Sequence, residues 1–424
     1  MGLGYLTLSI KSEQDKYLTG NPQFTFFKSV YKRHTNFAID YQFINFVGDS
    51  SNVFGKKVYI DIPKNGDLLH RMFLMIDIAG NNLTHITPVG YNFIEYVDLF
   101  IGGQRIDRHY GSWLQIWHEL FEKNDVLLGR LVSSQGLVGV GVSTKNTLYI
   151  PLRFWFNNNV GLSLPLIALQ YNDIKFEIKF NSKTDIQTYN SEFNDNNMSI
   201  VNIRMLTEYI HLDKEERRLF ASNVHEYLIT QVQSSLSNPI NLYKNTNTSQ
   251  ASFENIVHKT DLRFNHPVKE LVWTFQDYSI PSKSSSSGVY SNNFWREFNY
   301  GNDQFIGAMI NLNGKDMTDE LSAGFYRSLQ NFQYHSGVGL GSVSNTLGLA
   351  GLENGNAIYS HSFSLSPEDY QPSGSINFSN IEQAQLKYRL HHSATVTSKS
   401  LNIYAVNYNI FRVMSGMASL AFSN

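Results

Sequence analysis

The chain has no cysteine. This excludes disulfide staples, thiolate metal sites and cysteine nucleophiles together, and it fits assembly in a reducing compartment. Charge is scarce too. Asp, Glu, Lys and Arg make up 17% of the sequence, against roughly 25% in an ordinary globular domain. The 34 basic and 36 acidic residues nearly cancel, giving a formal net charge of -2, so there is no overall positive field for coating nucleic acid. No apolar run approaches the roughly 18 residues needed to cross a bilayer as a helix. The stretches 73–78 and 97–101 are strand-length and carry Asp77 and Asp98. No basic segment leads into an apolar one at the N-terminus, so no secretory signal is expected. Leu6 stands where a myristoylation signal beginning Met1-Gly2 needs Ser or Thr.

What is present points to strands. The 424 residues are enough for two β-sandwiches with real cores. They include 29 Phe, 24 Tyr and 43 Asn, a mixture that favours strands joined by Asn-rich turns over helical bundles. Ile174, Phe176, Ile178 and Phe180 alternate with Lys175, Glu177 and Lys179, the pattern of a strand with one wet face. Val58, Ile60 and Ile62 repeat it, as do Leu386, Tyr388 and Leu390, and Leu401, Ile403 and Ala405. Turn signals at 64–67, Gly102-Gly103, Asn313-Gly314 and 354–356 separate the strands. Many half-wet strands predict antiparallel sandwiches.

Helices are few. Ser112 to Gln115 reads as a capping box that places Trp113, Trp117 and Leu120 on one side. Asp213 is the predicted cap of a second helix, from Lys214 to about Ala221, with Glu216 at the reciprocal position and Arg217 one turn from Asp213. This helix falls near the chain midpoint, at a plausible domain junction.

The two halves resemble each other. Leu99 to Gly103 and Ile310 to Gly314 are similar apolar-to-glycine turns, about half the chain apart. Each precedes an aromatic segment, 110–117 in one half and 325–332 in the other. Asn172-Asp173-Ile174 and Asn380-Ile381-Glu382 both lead into alternating strands. Several pairs at one offset indicate a duplicated domain, in a unit too long for a solenoid repeat. Polar, low-complexity tracts at 181–198, 236–252, 282–291 and 337–355 read as exposed loops.

A search for chemistry finds little. There is no phosphate-binding loop and no Gly-x-Ser-x-Gly elbow. Gly102-Gly103 reads as a hairpin turn. His109 and His118 are nine apart, which is not one helical face, and adjacent His391 and His392 point to opposite sides of a strand. These read as structural or surface histidines rather than metal ligands. Glu215-Glu216 with Arg217-Arg218 reads as a solvated helix face. Asp98 and Asp107 bracket the glycine turn, and spacing alone cannot show whether they face one another as glycosidase carboxylates do. Lys28, Lys32, Arg33 and His34 lie among Phe26, Phe27 and Tyr31. The reading that carries most weight is an anchoring segment against a neighbouring subunit, with nucleic-acid binding behind it. Sequons occur at Asn82, Asn197, Asn247 and Asn377; without a signal peptide they are not expected to be glycosylated in the usual way.

Residues 17–28, YLTGNPQFTFFK, closely resemble the N-terminal signature of major capsid proteins from nucleocytoplasmic large DNA viruses, and the likeness continues through 30–38, VYKRHTNFA. Further similar blocks are IGGQRID at 101–107, LPLIALQY at 164–171, FNHP at 264–267 and QPSG at 371–374 with NFS at 377–379. The last are LNIYA at 401–405 and MSGM at 414–417. The sequence is most similar to the phycodnavirus- and mimivirus-like branch. It departs in loop lengths and at Asn380, where the family often has a basic residue.

The resemblance implies an all-β double jelly roll, two eight-stranded antiparallel sandwiches with few short helices. The expected layout is an N-terminal arm over 1–27, a first jelly roll over 28–212, a helical linker over 213–224 and a second jelly roll over 225–424. It also implies a homotrimeric, pseudo-hexagonal capsomer that tiles an icosahedral virion shell. The implied partners are further copies of the chain in the trimer and in neighbouring capsomers, and minor capsid proteins. No direct contact with nucleic acid is expected. An internal membrane would lie nearby without being crossed, and assembly would occur in the host cytoplasm. No enzymatic activity, cofactor, metal or catalytic residue is expected. The alternatives are a minor capsid paralogue, a carbohydrate-binding jelly roll or, lower, a β-sandwich glycosidase.

Overall fold

Period-two patterning becomes two-layer packing in the strands of residues 38–423 that the structure describes. A computed structural model describes residues 3–10, 12–48, 51–79, 89–123, 125–132, 146–182, 199–236, 240–241, 256–277, 305–337, 358–391 and 398–423. By contact these residues fall into two units, Met1–Phe37 and Ala38–Asn424. The first unit holds two short helices, Leu3–Ser9 and Lys16–Thr19, among turns and irregular chain.

Eight strands on the continuous sheet paths come first: β1 (Phe37–Asn45), β2 (Lys57–Asp61), β3 (Leu68–Ala79), β4 (Ile94–Ile101), β5 (Gln104–Tyr110), β6 (Asn146–Pro151), β7 (Ile174–Phe180) and β8 (Ser199–Leu212). They pair as one sheet in the order β1-β8-β3-β6 and another in the order β2-β7-β4-β5. Eight more strands follow: β9 (His225–Leu236), β10 (His258–Asp261), β11 (Pro267–Asp277), β12 (Phe305–Leu312), β13 (Lys315–Asp316), β14 (Ile358–Ser362), β15 (Ala384–Leu390) and β16 (Ser398–Met414). Their sheets run β9-β16-β11-β14 and β10-β15-β12-β13. Adding eight to every strand of the first half reproduces the second. The pairs are antiparallel, and short extra strands, such as Met417–Leu420 on β16, extend some edges. This is a jelly roll made twice, and its sheets stay open.

Each sandwich has its own interior. In the first, Leu74 and Ile76 of β3 meet Val97 and Leu99 of β4 and Phe176 and Ile178 of β7. All four inward residues of β7 are buried and Lys175 is exposed, as the alternation predicts. In the second, Leu271, Trp273 and Phe275 of β11 pack with Ile310, Leu386 and Ile403. Both glycine turns form as expected: Gly102 and Gly103, and Asn313 and Gly314, all have positive φ. Two consecutive left-handed residues match the twist of a hairpin, which favours Gly and Asn there.

Helix α1 (Gly111–Phe121) joins the sandwiches. It follows β5 and turns Trp113, Ile116 and Leu120 onto Val272 of β11, Ile358 of β14, and Tyr404 and Val406 of β16. Val272 and Tyr404 alternate with residues of the second core, so this sheet is buried on both faces. A central strand without a wet face reads as a nearly continuous buried run, and residues 400–409 of β16 are all buried. The capping box expected at Ser112 does not form. Tyr110 is the cap residue and makes no side-chain cap bond, while the Ser112 hydroxyl lies 2.6 Å from the Tyr404 hydroxyl across the joint. A buried tyrosine hydroxyl needs a partner, and Ser112 supplies it at the expense of capping. At the far end of α1, Gly337 donates its amide to the Leu120 carbonyl at 2.7 Å. A Cβ there would strike the carbonyls of Glu119 and Leu120.

Helix α2 (Lys214–Ser222) separates the two strand sets, and Asp213 accepts from the Lys214 amide as expected. Arg217 does not use Asp213 one turn back. Its Nε lies 3.0 Å from Asp67, a buried carboxylate that also accepts from the Leu212 amide. A desolvated carboxylate has more to gain from the guanidinium than the solvated Asp213.

The joint should therefore be a major source of stability. Replacing Trp113 with Ala should cost about 3–5 kcal/mol, read as a lower unfolding midpoint in guanidinium chloride.

Candidate functional site

The carboxylates singled out in sequence separate. In the β4–β5 hairpin Asp98 pairs across from Arg108, and Leu99 across from Asp107. Consecutive strand residues leave opposite faces of the sheet, so Asp98 and Asp107 do not confront each other as glycosidase carboxylates must. Arg108 clamps Asp98 with two bonds, Nε to Oδ1 at 2.6 Å and Nη2 to Oδ2 at 2.5 Å, and lies over the Tyr96 ring at 4.0 Å. Asp98 holds the Arg108 guanidinium well above its ordinary pKa. Asp107 accepts from the Val232 amide of the second sandwich at 3.2 Å and lies 3.0 Å from His109 Nε2. Both carboxylates are tied into structure.

The histidines are also dispersed. His109 is buried and stacks on Phe154 with 4.3 Å between ring centres. His118 is buried, with Nδ1 3.3 Å from the Tyr91 hydroxyl. His391 is exposed past the end of β15, and His392 lies outside the described residues. Among the described residues, no group of three or more His, Asp or Glu is placed to hold a metal ion. Asn377, the sequon asparagine inside the described residues, uses its side-chain oxygen to accept from the Ser379 amide.

Sequence reasoning missed the charged cavity at the joint. About 530 Å³ of space lies between the sandwiches, lined by Trp117, Arg153, Lys269, Glu270, Glu368 and Tyr408 among others. The Arg153 guanidinium sits 3.7 Å from the Trp117 ring centre and 3.1 Å from Glu122. Lys269 donates to the Pro367 carbonyl at 2.5 Å. Glu270 is fully buried, 3.7 Å from the His335 Nε2, which is beyond hydrogen-bond length. Burial drives the pKa of Glu270 up and those of Lys269 and Arg153 down, because desolvation penalises each charged form. The charges come from separate segments, so only folding collects them.

Open apolar surface is the other feature. In the first unit Tyr17, Phe26 and Phe27 are almost wholly exposed, and Phe24 packs edge-on to Phe26. The basic residues Lys28, Lys32, Arg33 and His34 are exposed beside them. On β1, Ile39, Tyr41 and Phe43 are about half exposed. They share the outer face of the β1-β8-β3-β6 sheet, since the Tyr41 hydroxyl donates to Glu208 and Arg204 lies over the Phe43 ring. The alternation of residues 37–43 carried this signal, with apolar residues that face outward rather than inward.

Two stacked repeats of one eight-strand order, joined through a buried helix, define a double jelly-roll protein with no assembled catalytic group among the described residues. The chain belongs to the family of large eukaryotic DNA virus major capsid proteins. Residues 25–213 match the description "Major capsid protein N-terminus" and residues 216–419 "Large eukaryotic DNA virus major capsid protein". The chain is 37% identical to the major capsid protein of Pyramimonas orientalis virus, over all of both chains. It is 35% identical to that of Paramecium bursaria Chlorella virus 1, again over the full length of each. A solved structure, the quasi-atomic capsid of the latter virus, is similar with a TM-score of 0.75 at 32% identity, covering 94% of this chain and 100% of that one.

One interior group gives the second sandwich an acid-sensitive point. His361 of β14 lies opposite Leu271 and against Phe363 and Tyr326. Burial pushes its pKa down to about 4. The folded state therefore prefers the neutral ring: the stabilisation is complete above pH about 6.5, the ordinary histidine value, and is lost as pH falls toward 4. The full loss is about 3 kcal/mol. Urea unfolding between pH 7 and 4 should show this decline, and His361→Phe should flatten it.

Proposed function

We propose that the chain is the structural unit of a virion shell, acting as a homotrimer whose six jelly rolls form a pseudo-hexagonal capsomer. The observation that carries this reading is the exact repetition of strand order in two sandwiches, in a chain that matches capsid proteins from end to end. Three copies of a doubled domain supply six similar blocks, and six blocks fill a hexagonal outline. A closed ring of this kind needs head-to-tail contacts between copies, and permanent interfaces bury large apolar areas. The near-zero net charge limits repulsion among densely packed copies.

The reading divides the chain into an arm over 1–27, a first jelly roll over 28–212, a linker over 213–224 and a second jelly roll over 225–424. The meeting of the two family matches between residues 213 and 216 supports the central boundary. The arm, with its exposed aromatics, contacts neighbouring capsomers or minor capsid proteins. The shell encloses an internal membrane that the chain does not cross; among the described residues no helix is long and apolar enough to do so. Assembly takes place in the host cytoplasm, and nucleic acid is not a direct partner.

Purified full-length protein should sediment as a trimer and appear near-hexagonal by negative-stain microscopy. A persistent monomer at high concentration, or one that binds glycans as a single unit, would sink the capsomer reading and favour a carbohydrate-binding role.

A further inference from the structure

Internal duplication allows the chain to be compared with itself, and the comparison exposes an unfilled half of one contact. In the first sandwich the connection from β5 to β6 carries α1, whose Trp113, Ile116 and Leu120 cover the outer face of β9-β16-β11-β14. The covered residues come from all four strands, with Val232 of β9 at the margin. In the second sandwich the matching connection, from β13 to β14, also carries helix: a π-helical turn Phe325–Leu329 running into Gln330–Tyr334. One side of it packs inward through Tyr326. The other presents Leu329 and Phe332, 43% and 85% exposed. The matching sheet face, on β1-β8-β3-β6, is the one left open: Ile39, Tyr41 and Phe43 of β1 are 49%, 54% and 58% exposed, and Phe73 of β3 and Leu206 of β8, which pair directly, are partly exposed beside them. Among the described residues, helix and sheet of this kind meet once, and the second helix and the first sheet do not meet.

We infer that the Leu329–Phe332 helix face of one copy covers the Ile39–Tyr41–Phe43 sheet face of the next, repeating between chains the contact that α1 makes within a chain. The occupant of the open sheet is a second copy of this chain. The contact is head-to-tail, so each copy gives a helix to one neighbour and a sheet to the other, and it can close into a ring. Ridges of apolar side chains on both sides fit the core of a permanent interface. The inference rests on the trimer proposed above and assigns the residues that build it.

The test combines sedimentation with footprinting of the full chain. Ile39→Glu and Phe332→Glu each place a charge on one side of the contact, at positions exposed in the lone chain. Each should convert the trimer to a monomer with unchanged near-ultraviolet circular dichroism. Trimers that persist in either variant would overturn the assignment while leaving the trimer itself intact. A monomeric unmodified protein would instead defeat the capsomer reading. Hydroxyl-radical footprinting of the unmodified trimer needs no variant. Tyr41, Phe43 and Phe332 should be labelled several-fold less than Leu365, which is 81% exposed. Labelling of Phe332 as strong as that of Leu365 would refute the contact.

Discussion

The packing of α1 against the outer face of the second sandwich is the contact on which the rest of the molecule depends. A sheet in a sandwich needs only one dry face. Here β11 and β16 have two, because Trp113, Ile116 and Leu120 seal the side away from the second core. This makes two folding units into one body. It also explains why the Ser112 hydroxyl faces Tyr404 instead of capping its helix, and why the chain tolerates only glycine at 337, where the two backbones touch. A rigid joint fixes the angle between the sandwiches, and a capsomer built from three chains depends on that angle being the same in each.

The joint also tolerates costly electrostatics. Lys269 and Glu270 are buried there and Arg153 is partly buried, each pushed toward its neutral form. Buried charges seldom add net stability, and losing one partner of a pair is expensive. Their contribution is to orientation: Arg153 is fixed between Glu122 and the Trp117 ring, and Lys269 is fixed by the Pro367 carbonyl. Groups of opposite sign drawn from both sandwiches restrict how the two can slide. The conspicuous carboxylates Asp98 and Asp107 follow the same logic, each bound to a partner on its own face of the hairpin.

An alternating surface can be legible in sequence without declaring what it packs against. The run 37–43 alternates as clearly as 174–180, yet the apolar residues of β7 are buried and those of β1 are exposed. Periodicity reports that one face of a strand is apolar. It does not report whether that face meets the same chain or another copy. The internal repeat bears on this, because the covered sheet of the second sandwich is the counterpart, in strand order, of the open sheet of the first.

Alternation in β7, the glycine hairpin at Gly102-Gly103, the cap at Asp213 and the duplication were determined by the sequence itself, since each depends on residues close in the chain or on a repeated pattern. The family signature reached further, to the double jelly roll. Tertiary structure alone decided that Ser112 bonds Tyr404, that Arg217 pairs with Asp67, and that Lys269, Glu270 and Arg153 gather around one cavity. Those partners lie on segments distant in the chain. Their choice is set by which groups lose water when the sandwiches close, a quantity that exists only once the fold does.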